Sequence, residues 1–223
     1  ATAVLVPGAA PLVLAAGDAG STPQGFLEFF GEGLHHIAIG LDHVLFLITL
    51  LLVAVWRRPP EAPHTWQPRD NARAGWGEAL RLVTAFTVAH SLTLGLAAAG
   101  VLAPPAHWVE PLIAVSVLLA ALDNLRPFLP GPRWAAVALF GLVHGFGFAG
   151  PLQDLGLSGT ALALPLLAFN LGVEAGQVLL VLVLLPLAVA ARQAAAYRRW
   201  VVRPISAGVA LLALGWTVQR TLG

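Results

Sequence analysis

The chain has 223 residues, of which 58% are hydrophobic and 10% charged, with a formal net charge of +1. A typical soluble domain is about 45–50% apolar and about 25% charged, so the composition excludes an ordinary soluble protein. The 12 basic residues are all Arg and form no basic stripe, which argues against nucleic-acid binding, and the absence of Cys excludes disulfides and thiolate metal sites.

The predicted elements begin with an apolar N-terminal segment, residues 1–25, which Pro7 and Pro11 interrupt. It is too short and broken for a membrane span, and we expect it at the outer face. Residues 26–223 are predicted to form an all-α, polytopic transmembrane helix bundle. Since about 20 apolar residues cross a bilayer, the apolar runs predict about six spans, at 33–56, 86–100, 108–127, 133–150, 161–191 and 200–219.

Arginine alternates between the connections of these spans. The first, third and fifth connections, with the residues that border them, hold eleven of the twelve Arg, whereas 101–107 and 151–160 hold none. Short cytoplasmic loops are enriched in positive residues, so we expect both termini outside and a multi-pass location in the bacterial inner membrane. An outside N-terminus also suits a chain whose first residue follows a removed signal peptide.

Polar and ionisable side chains lie inside the apolar runs, where a charged group costs about 2.5–3.5 kcal/mol on insertion scales. Each of them should therefore face the bundle interior. In chain order they are His35, His36, Asp42, His43, His90, Glu110, Ser116, Asp123, His144, Asn170, Glu174 and Gln177.

Helix geometry predicts that several of these groups share one depth. A rise of about 1.5 Å per residue places six of them about 9–20 Å below the outer surface. The six are Asp42, His43, His90, His144, Asn170 and Glu174. Glu110 falls at the outer mouth and Asp123 at the inner end. His36 and His43 share one face of a continuous helix but would lie about 10.5 Å apart along its axis, too far to bind one ion without distortion.

Imidazole and carboxylate groups without thiolate suit Ni²⁺, Co²⁺, Zn²⁺ or Fe²⁺. A single intramembrane His commonly makes only an interhelical hydrogen bond, and a Ser hydroxyl commonly bonds back to its own helix. The combination nevertheless favours a metal site, for which we predict the ligands His36, Asp42, His43, His90, His144 and Glu174. Supporting roles are expected for Glu110, Ser116, Asp123, Asn170 and Gln177.

Five segments resemble the second subfamily of the HupE/UreJ proteins, which are membrane accessory proteins associated with nickel hydrogenases and ureases and are regarded as nickel permeases. Residues 36–43 (HIAIGLDH) are similar to the motif HPxxGxDH, with Ile37 in place of its Pro. The wider matching segments are GLHHIAIGLDHVLFL (33–47), TAFTVAHSLTL (84–94), VEPLIAVSV (109–117), FGLVHGFGFAG (140–150) and FNLGVEAGQ (169–177). The resemblance implies that Asp42 and His43 belong to a metal path with His36 at its entrance.

The leading hypothesis is a permease for Ni²⁺ or Co²⁺, with Zn²⁺ as the alternative metal. Glu110, His35 and His36 would collect the ion, the deeper ligands would bind it, and Asp123 would offer an inner exit. The alternatives are a zinc-dependent intramembrane hydrolase using Ser91 or Ser116, a non-catalytic subunit of a larger membrane complex, and a bis-His haem protein. The expected partners are the metal ion and the lipid bilayer, with metalloenzyme maturation machinery or another membrane subunit as further candidates.

Overall fold

The computed structural model describes residues 2–4, 12–14, 23–102, 104–148 and 163–222. The predicted all-α class is confirmed, because seven α-helices dominate the described residues. They are α1 (Pro23–Ile39), α2 (Leu41–Leu52), α3 (Ala72–Ala98), α4 (Ala106–Leu125), α5 (Arg133–Gly145), α6 (Ala163–Ala191) and α7 (Arg203–Leu222). A 3₁₀ turn (Phe146–Phe148) extends α5, and a π-helical segment (Tyr197–Val202) leads into α7.

Two short antiparallel strand pairs complete the described elements. In the N-terminal segment, β1 (Thr2–Val4) pairs with β2 (Leu12–Leu14). Between α2 and α3, β3 (Trp56–Arg57) pairs with β4 (Gln67–Pro68). The first helix already begins at Pro23, and the assignment of residues 1–25 to the outer face stays a prediction.

The expected continuous first span is wrong, because the chain breaks at Gly40. Helix α1 ends at Ile39, α2 begins at Leu41, and the two helices are bent by 71° relative to each other. Gly has a low helix propensity, and Gly40 adopts a non-helical ψ of 85°. The break leaves its own backbone paired, since Gly40 N–H donates to His36 O at 2.9 Å and Gly40 O accepts from Val44 N–H at 3.0 Å.

Four helical segments are long and apolar enough to cross a membrane, namely α3, α4, α6 and the continuous stretch Tyr197–Leu222. The bent pair α1–α2 passes the same test as one broken span. Helix α5 has only 13 residues, fewer than the about 20 that a bilayer requires. The count of six spans and the outside location of both termini stay predictions.

The helices pack in pairs, α1 against α6, α3 against α5 and α4 against α7, while α2 contacts both α4 and α6. Glycines permit two of these close approaches. A Cβ on Gly33 would overlap the Phe169 backbone of α6, and one on Gly172 would overlap the Phe30 backbone of α1. Small residues at a crossing let membrane helices gain dispersion contacts that larger side chains would prevent.

Three apolar clusters form the core of the described residues. One contains Trp56 and Trp66 beside the β3–β4 hairpin, a second contains Phe46 and Phe86, and a third contains Phe169 near the start of α6. The polar side chains described next lie where the second and third clusters meet.

Candidate metal centre

The break at Gly40 brings together two imidazoles that a straight helix would separate. His36 lies in the last turn of α1 and His43 in the first turn of α2, and their ring centroids are 4.7 Å apart. The expected separation of about 10.5 Å along one axis is therefore wrong, since it assumed that α1 and α2 were one helix. The 71° bend turns both rings toward the same interior point.

Helices α3 and α5 supply two further imidazoles, His90 and His144, which are both fully buried. Glycine again permits the approach, because a Cβ on Gly145 would overlap the carbonyl oxygen of His90. The ring centroid of His43 lies 6.2 Å from that of His90 and 4.8 Å from that of His144. His43 is thus the central member of a cluster drawn from four helices.

Three of these residues satisfy a simple geometric criterion for binding one metal ion. His36, His43 and His90 each offer a ring nitrogen, and these atoms all lie within 4.8 Å of one another. Since zinc–imidazole bonds are about 2.0–2.1 Å long, nitrogens around one ion are separated by less than about twice that length. Movements of less than about 1 Å per ring would therefore bring all three nitrogens to bonding distance of a common ion.

A carboxylate orients the central imidazole. Nδ1 of His43 lies 3.0 Å from Oδ1 of Asp42, and the same oxygen accepts the backbone N–H of His43 at 2.9 Å. The carboxylate therefore favours the tautomer with hydrogen on Nδ1, so that Nε2 carries the free lone pair. Metal-binding imidazoles typically donate their other N–H to a carboxylate in this way.

Arg220 of α7 approaches the same carboxylate from the other side. Its Nη2 lies 3.5 Å from Oδ2 of Asp42, its Nη1 donates to the carbonyl oxygen of Glu110, and its guanidinium lies over the ring of Trp216. Asp42 thus connects the imidazole cluster to the C-terminal helix. Sequence reasoning missed this role of Arg220, although it is the single Arg outside the three arginine-bearing connections.

A hydroxyl group orients the imidazole of His144. Ser116 Oγ donates to Ile113 O at 2.7 Å and lies 2.8 Å from His144 Nε2. Because its single hydrogen is donated to Ile113, Ser116 can only accept from an Nε2–H group of His144, which leaves the lone pair of that imidazole on Nδ1. Within the described residues, Nδ1 of His144 and Nε2 of His43 have no hydrogen-bond partner.

Phenylalanine rings surround the cluster. Phe169 lies 5.5 Å from the ring of His36, Phe86 stacks on His90 at 5.8 Å, and Phe46 lies 5.3 Å from His144, all between ring centroids. An apolar surrounding strengthens electrostatic interactions and raises the cost of leaving a polar group unsatisfied. A bound cation would thus satisfy the ring nitrogens of His43 and His144 that have no hydrogen-bond partner within the described residues.

The polar stripe of α6 connects to α3. Asn170 Oδ1 accepts from Ser91 Oγ at 2.7 Å, and Gln177 Oε1 accepts from Thr87 Oγ1 at 2.8 Å. Asn170 and Gln177 therefore join helices beside the cluster. Glu174 is partly buried between them on the same helix and lies outside the group of three ligand atoms.

Two further carboxylates, Glu110 and Asp123, lie outside the group of three ligand atoms. Glu110 is exposed near the start of α4. Asp123 is buried at the other end of α4, and its Oδ1 accepts the N–H groups of Phe128 and Leu129 at 2.8 and 2.9 Å. It therefore stabilises the connection from α4 to α5, a role that sequence reasoning had not predicted.

Comparison with known proteins gave one match. The family model described as HupE / UreJ protein matches residues 14–220, which include every helix except the final two residues of α7. Neither a search of curated proteins nor a search of solved structures found a match.

Proposed function

Because the chain belongs to the HupE/UreJ family, we propose that it is a permease that carries Ni²⁺ or Co²⁺ across the bacterial inner membrane. The observation that supports this most strongly is the convergence of His36, His43 and His90, whose ligand nitrogens lie within 4.8 Å of one another. Burying several imidazoles from separate helices costs free energy, and binding of a divalent cation would offset that cost.

The donor set supports a borderline transition metal as the cargo. Imidazole nitrogen binds Ni²⁺, Co²⁺, Cu²⁺ and Zn²⁺ well, whereas Ca²⁺ and Mg²⁺ prefer sites built from oxygen. Asp42 adds one negative charge beside the three imidazoles, which partly compensates a divalent ion in an apolar surrounding. Zn²⁺ is the alternative cargo, because geometry of this kind does not separate it from its neighbours in the series.

The remaining polar residues suggest a path for the ion. Glu110 and His35 are exposed near one end of the bundle, where they can attract a hydrated cation. His36, at the end of α1, would receive it, and His43 and His90 would bind it with His144 and Glu174 close by. Transport would follow the metal gradient or be coupled to protons.

Metal binding to the purified chain tests the site directly. We expect about one Ni²⁺ per chain by calorimetric titration, and a loss of affinity in His43→Ala and His90→Ala larger than the about 10–100-fold typical of losing a residue that supports a ligand. His107→Ala is the matched control, because His107 is an exposed His at the start of α4. Equal affinity in all four proteins would refute the proposed site.

Uptake into proteoliposomes tests the transport step. Vesicles with the wild-type chain should accumulate radioactive Ni²⁺ or Co²⁺ faster than empty vesicles, whereas the His43→Ala variant should match empty vesicles. A wild-type chain that binds the ion but does not move it would refute the permease and favour a metal-binding subunit of a larger complex.

A further inference from the structure

A second polar region lies at the opposite end of the bundle from the imidazole cluster. A recess of about 580 Å³ opens between the connection that joins α2 to α3 and the connection that joins α4 to α5. Trp56 and Trp134 belong to its lining. Because Arg133 in the recess and His144 in the cluster are 11 positions apart on α5, the two regions are about 16 Å apart along the axis.

The recess is strongly positive. Five of the side chains that line it are arginines and one is an acid, and they are Arg57, Arg58, Arg69, Arg81, Arg133 and Glu78. Glu78 is already shared, at 3.2 Å from Arg69 and 3.7 Å from Arg81. Glu78 and the nearby Asp123 carboxylate, which also attracts Arg133, cannot compensate five guanidinium groups, so the recess carries a net positive charge that favours an anion.

Part of this arginine set supports the walls. Arg58 donates to the carbonyl oxygens of Leu129 and Gly131 at 2.6 and 2.8 Å. These bonds hold the two connections together and form one side of the recess, while Arg133 lies against the ring of Trp66 at 5.2 Å. These contacts therefore hold the arginine side chains near one another.

The guanidinium groups of Arg57 and Arg81 have unused hydrogen-bond donors. Both are exposed, and within the described residues the side chain of Arg57 has no hydrogen bond or ion pair, while that of Arg81 has only its long contact with Glu78. A planar guanidinium presents donors in a fork that matches phosphate oxygens. These two side chains are free to contact a ligand without disturbing the walls.

The N-terminus of α5 adds to the positive potential. The helix begins at Arg133, and its N-cap residue, Pro132, provides no side-chain hydrogen bond. The first N–H groups of a helix carry partial positive charge and are a common site for phosphate. Pro132 and Arg133 both line the recess, so this helix end borders the same space as the arginines.

The geometry points to a binding site for a phosphate group in this recess, bounded by Arg57, Arg81 and the start of α5. The phosphate can belong to an anionic lipid headgroup or to a soluble phosphate compound. Exposed Phe128 and Trp134 line the same recess, each with a relative residue accessibility of 46%, and aromatic side chains favour the membrane–water interface. Basic pockets between membrane helices bind lipid headgroups by this combination.

Thermal unfolding of the full chain in an uncharged detergent tests the site without using metal. Three probes are titrated separately: dioctanoyl phosphatidylglycerol, dioctanoyl phosphatidylcholine and inorganic phosphate. We expect a saturable rise in Tm with phosphatidylglycerol, with inorganic phosphate, or with both, and a much weaker one with zwitterionic phosphatidylcholine. A response to phosphatidylglycerol alone identifies a lipid headgroup as the source, and a response to inorganic phosphate identifies a soluble ligand.

Two double variants with equal loss of charge separate a local site from general attraction. In R57Q/R81Q, the apparent affinity should fall about 25-fold, since each Arg near the membrane surface contributes about 1 kcal/mol, or about fivefold. R73Q/R126Q should keep the wild-type affinity, because Arg73 and Arg126 are exposed and do not line the recess. Equal losses in both double variants would overturn the proposal.

Native mass spectrometry of the wild-type chain gives a second readout that needs no variant. Retention of phosphatidylglycerol or phosphate in preference to phosphatidylcholine supports the site, and equal retention of all three overturns it. The absence of any stabilisation or adduct with the anionic probes also overturns it. None of these outcomes depends on metal binding, so the experiments test the phosphate site independently of the proposed permease activity.

Discussion

Asp42 holds the most informative position among the individual residues, because it contacts both a metal-ligand candidate and a cation. Its Oδ1 lies 3.0 Å from His43 Nδ1, and its Oδ2 lies 3.5 Å from Arg220 Nη2. One oxygen therefore orients an imidazole while the other is partly neutralised. Removing the charge of Asp42 should lower the metal affinity, and removing the charge of Arg220 should raise it.

Asp42→Asn should weaken Ni²⁺ binding about 10–100-fold, the effect typical of losing a carboxylate that supports an imidazole ligand. The amide oxygen can still accept from His43 Nδ1–H, so the fold and the ring orientation should persist while the negative charge is lost. Calorimetric titration measures the change. Asp70→Asn, at an exposed loop position, should leave the affinity unaltered, and an unaltered affinity in Asp42→Asn would contradict the proposed role.

Arg220→Gln should instead strengthen Ni²⁺ binding about fivefold, because a partly exposed ion pair is worth about 1 kcal/mol at most. The variant removes a positive charge beside the ion and leaves the contact between Asp42 and His43 intact. Arg199→Gln is the matched control, since Arg199 also lies over a Trp ring, at 5.0 Å from Trp200. Weaker binding in Arg220→Gln would show that Arg220 supports the site instead of competing with the ion.

At the scale of single elements, the break at Gly40 determines whether His36 and His43 can meet. A Cβ at position 40 would lie 2.7 Å from His36 O and 3.0 Å from His43 Nδ1. The first contact is shorter than packed atoms tolerate, and the second is tight enough that the imidazole of His43, which Asp42 orients, must shift by a few tenths of an ångström. The absence of a side chain is therefore part of the site.

Gly40→Ala should accordingly lower Ni²⁺ affinity, by about tenfold or more, because the imidazole of His43 must move away from Asp42. Gly95→Ala is a suitable control, since a Cβ at Gly95 in α3 meets nothing within 4 Å. Alanine there should stabilise the helix by up to about 1 kcal/mol and leave metal binding unchanged. Wild-type affinity in Gly40→Ala would mean that the ring position does not matter.

The comparison of Gly40 with Gly95 also indicates how much of the structure could be predicted from the sequence. Both glycines lie inside apolar runs, yet only Gly40 interrupts a helix, because the packing of α1 on α6 and of α2 on α4 decides the outcome. The hydrophobic pattern predicted the all-α class, whereas the six-span count and the common depth of the buried polar groups stay predictions. Tertiary contacts such as those of Arg220 with Asp42 join residues 178 positions apart, which no local pattern reveals.

For the whole molecule, the imidazole cluster and the arginine-lined recess lie at opposite ends of α5. The positive-inside rule predicts that the recess faces the cytoplasm. Because the chain contains no Cys, single introduced cysteines can test this orientation against a clean background.

Glu61→Cys and His107→Cys replace exposed residues in or beside connections at the two ends of the bundle. In intact spheroplasts, a membrane-impermeant maleimide should label His107→Cys, whereas Glu61→Cys should be labelled only after permeabilisation. The reverse pattern would invert the predicted topology, and labelling of both in intact cells would contradict it altogether.

His36 and His43 lie on two separate helices that meet at Gly40, and this arrangement has a mechanical consequence. His36 lies four residues from Gly40, a lever of about 6 Å, so a tilt of about 10° at this hinge displaces its ring by about 1 Å. Metal–ligand distances tolerate only about 0.2 Å. If an ion is bound as proposed, a tilt of this size in α1 would be enough to separate it from His36 while His43 retains it.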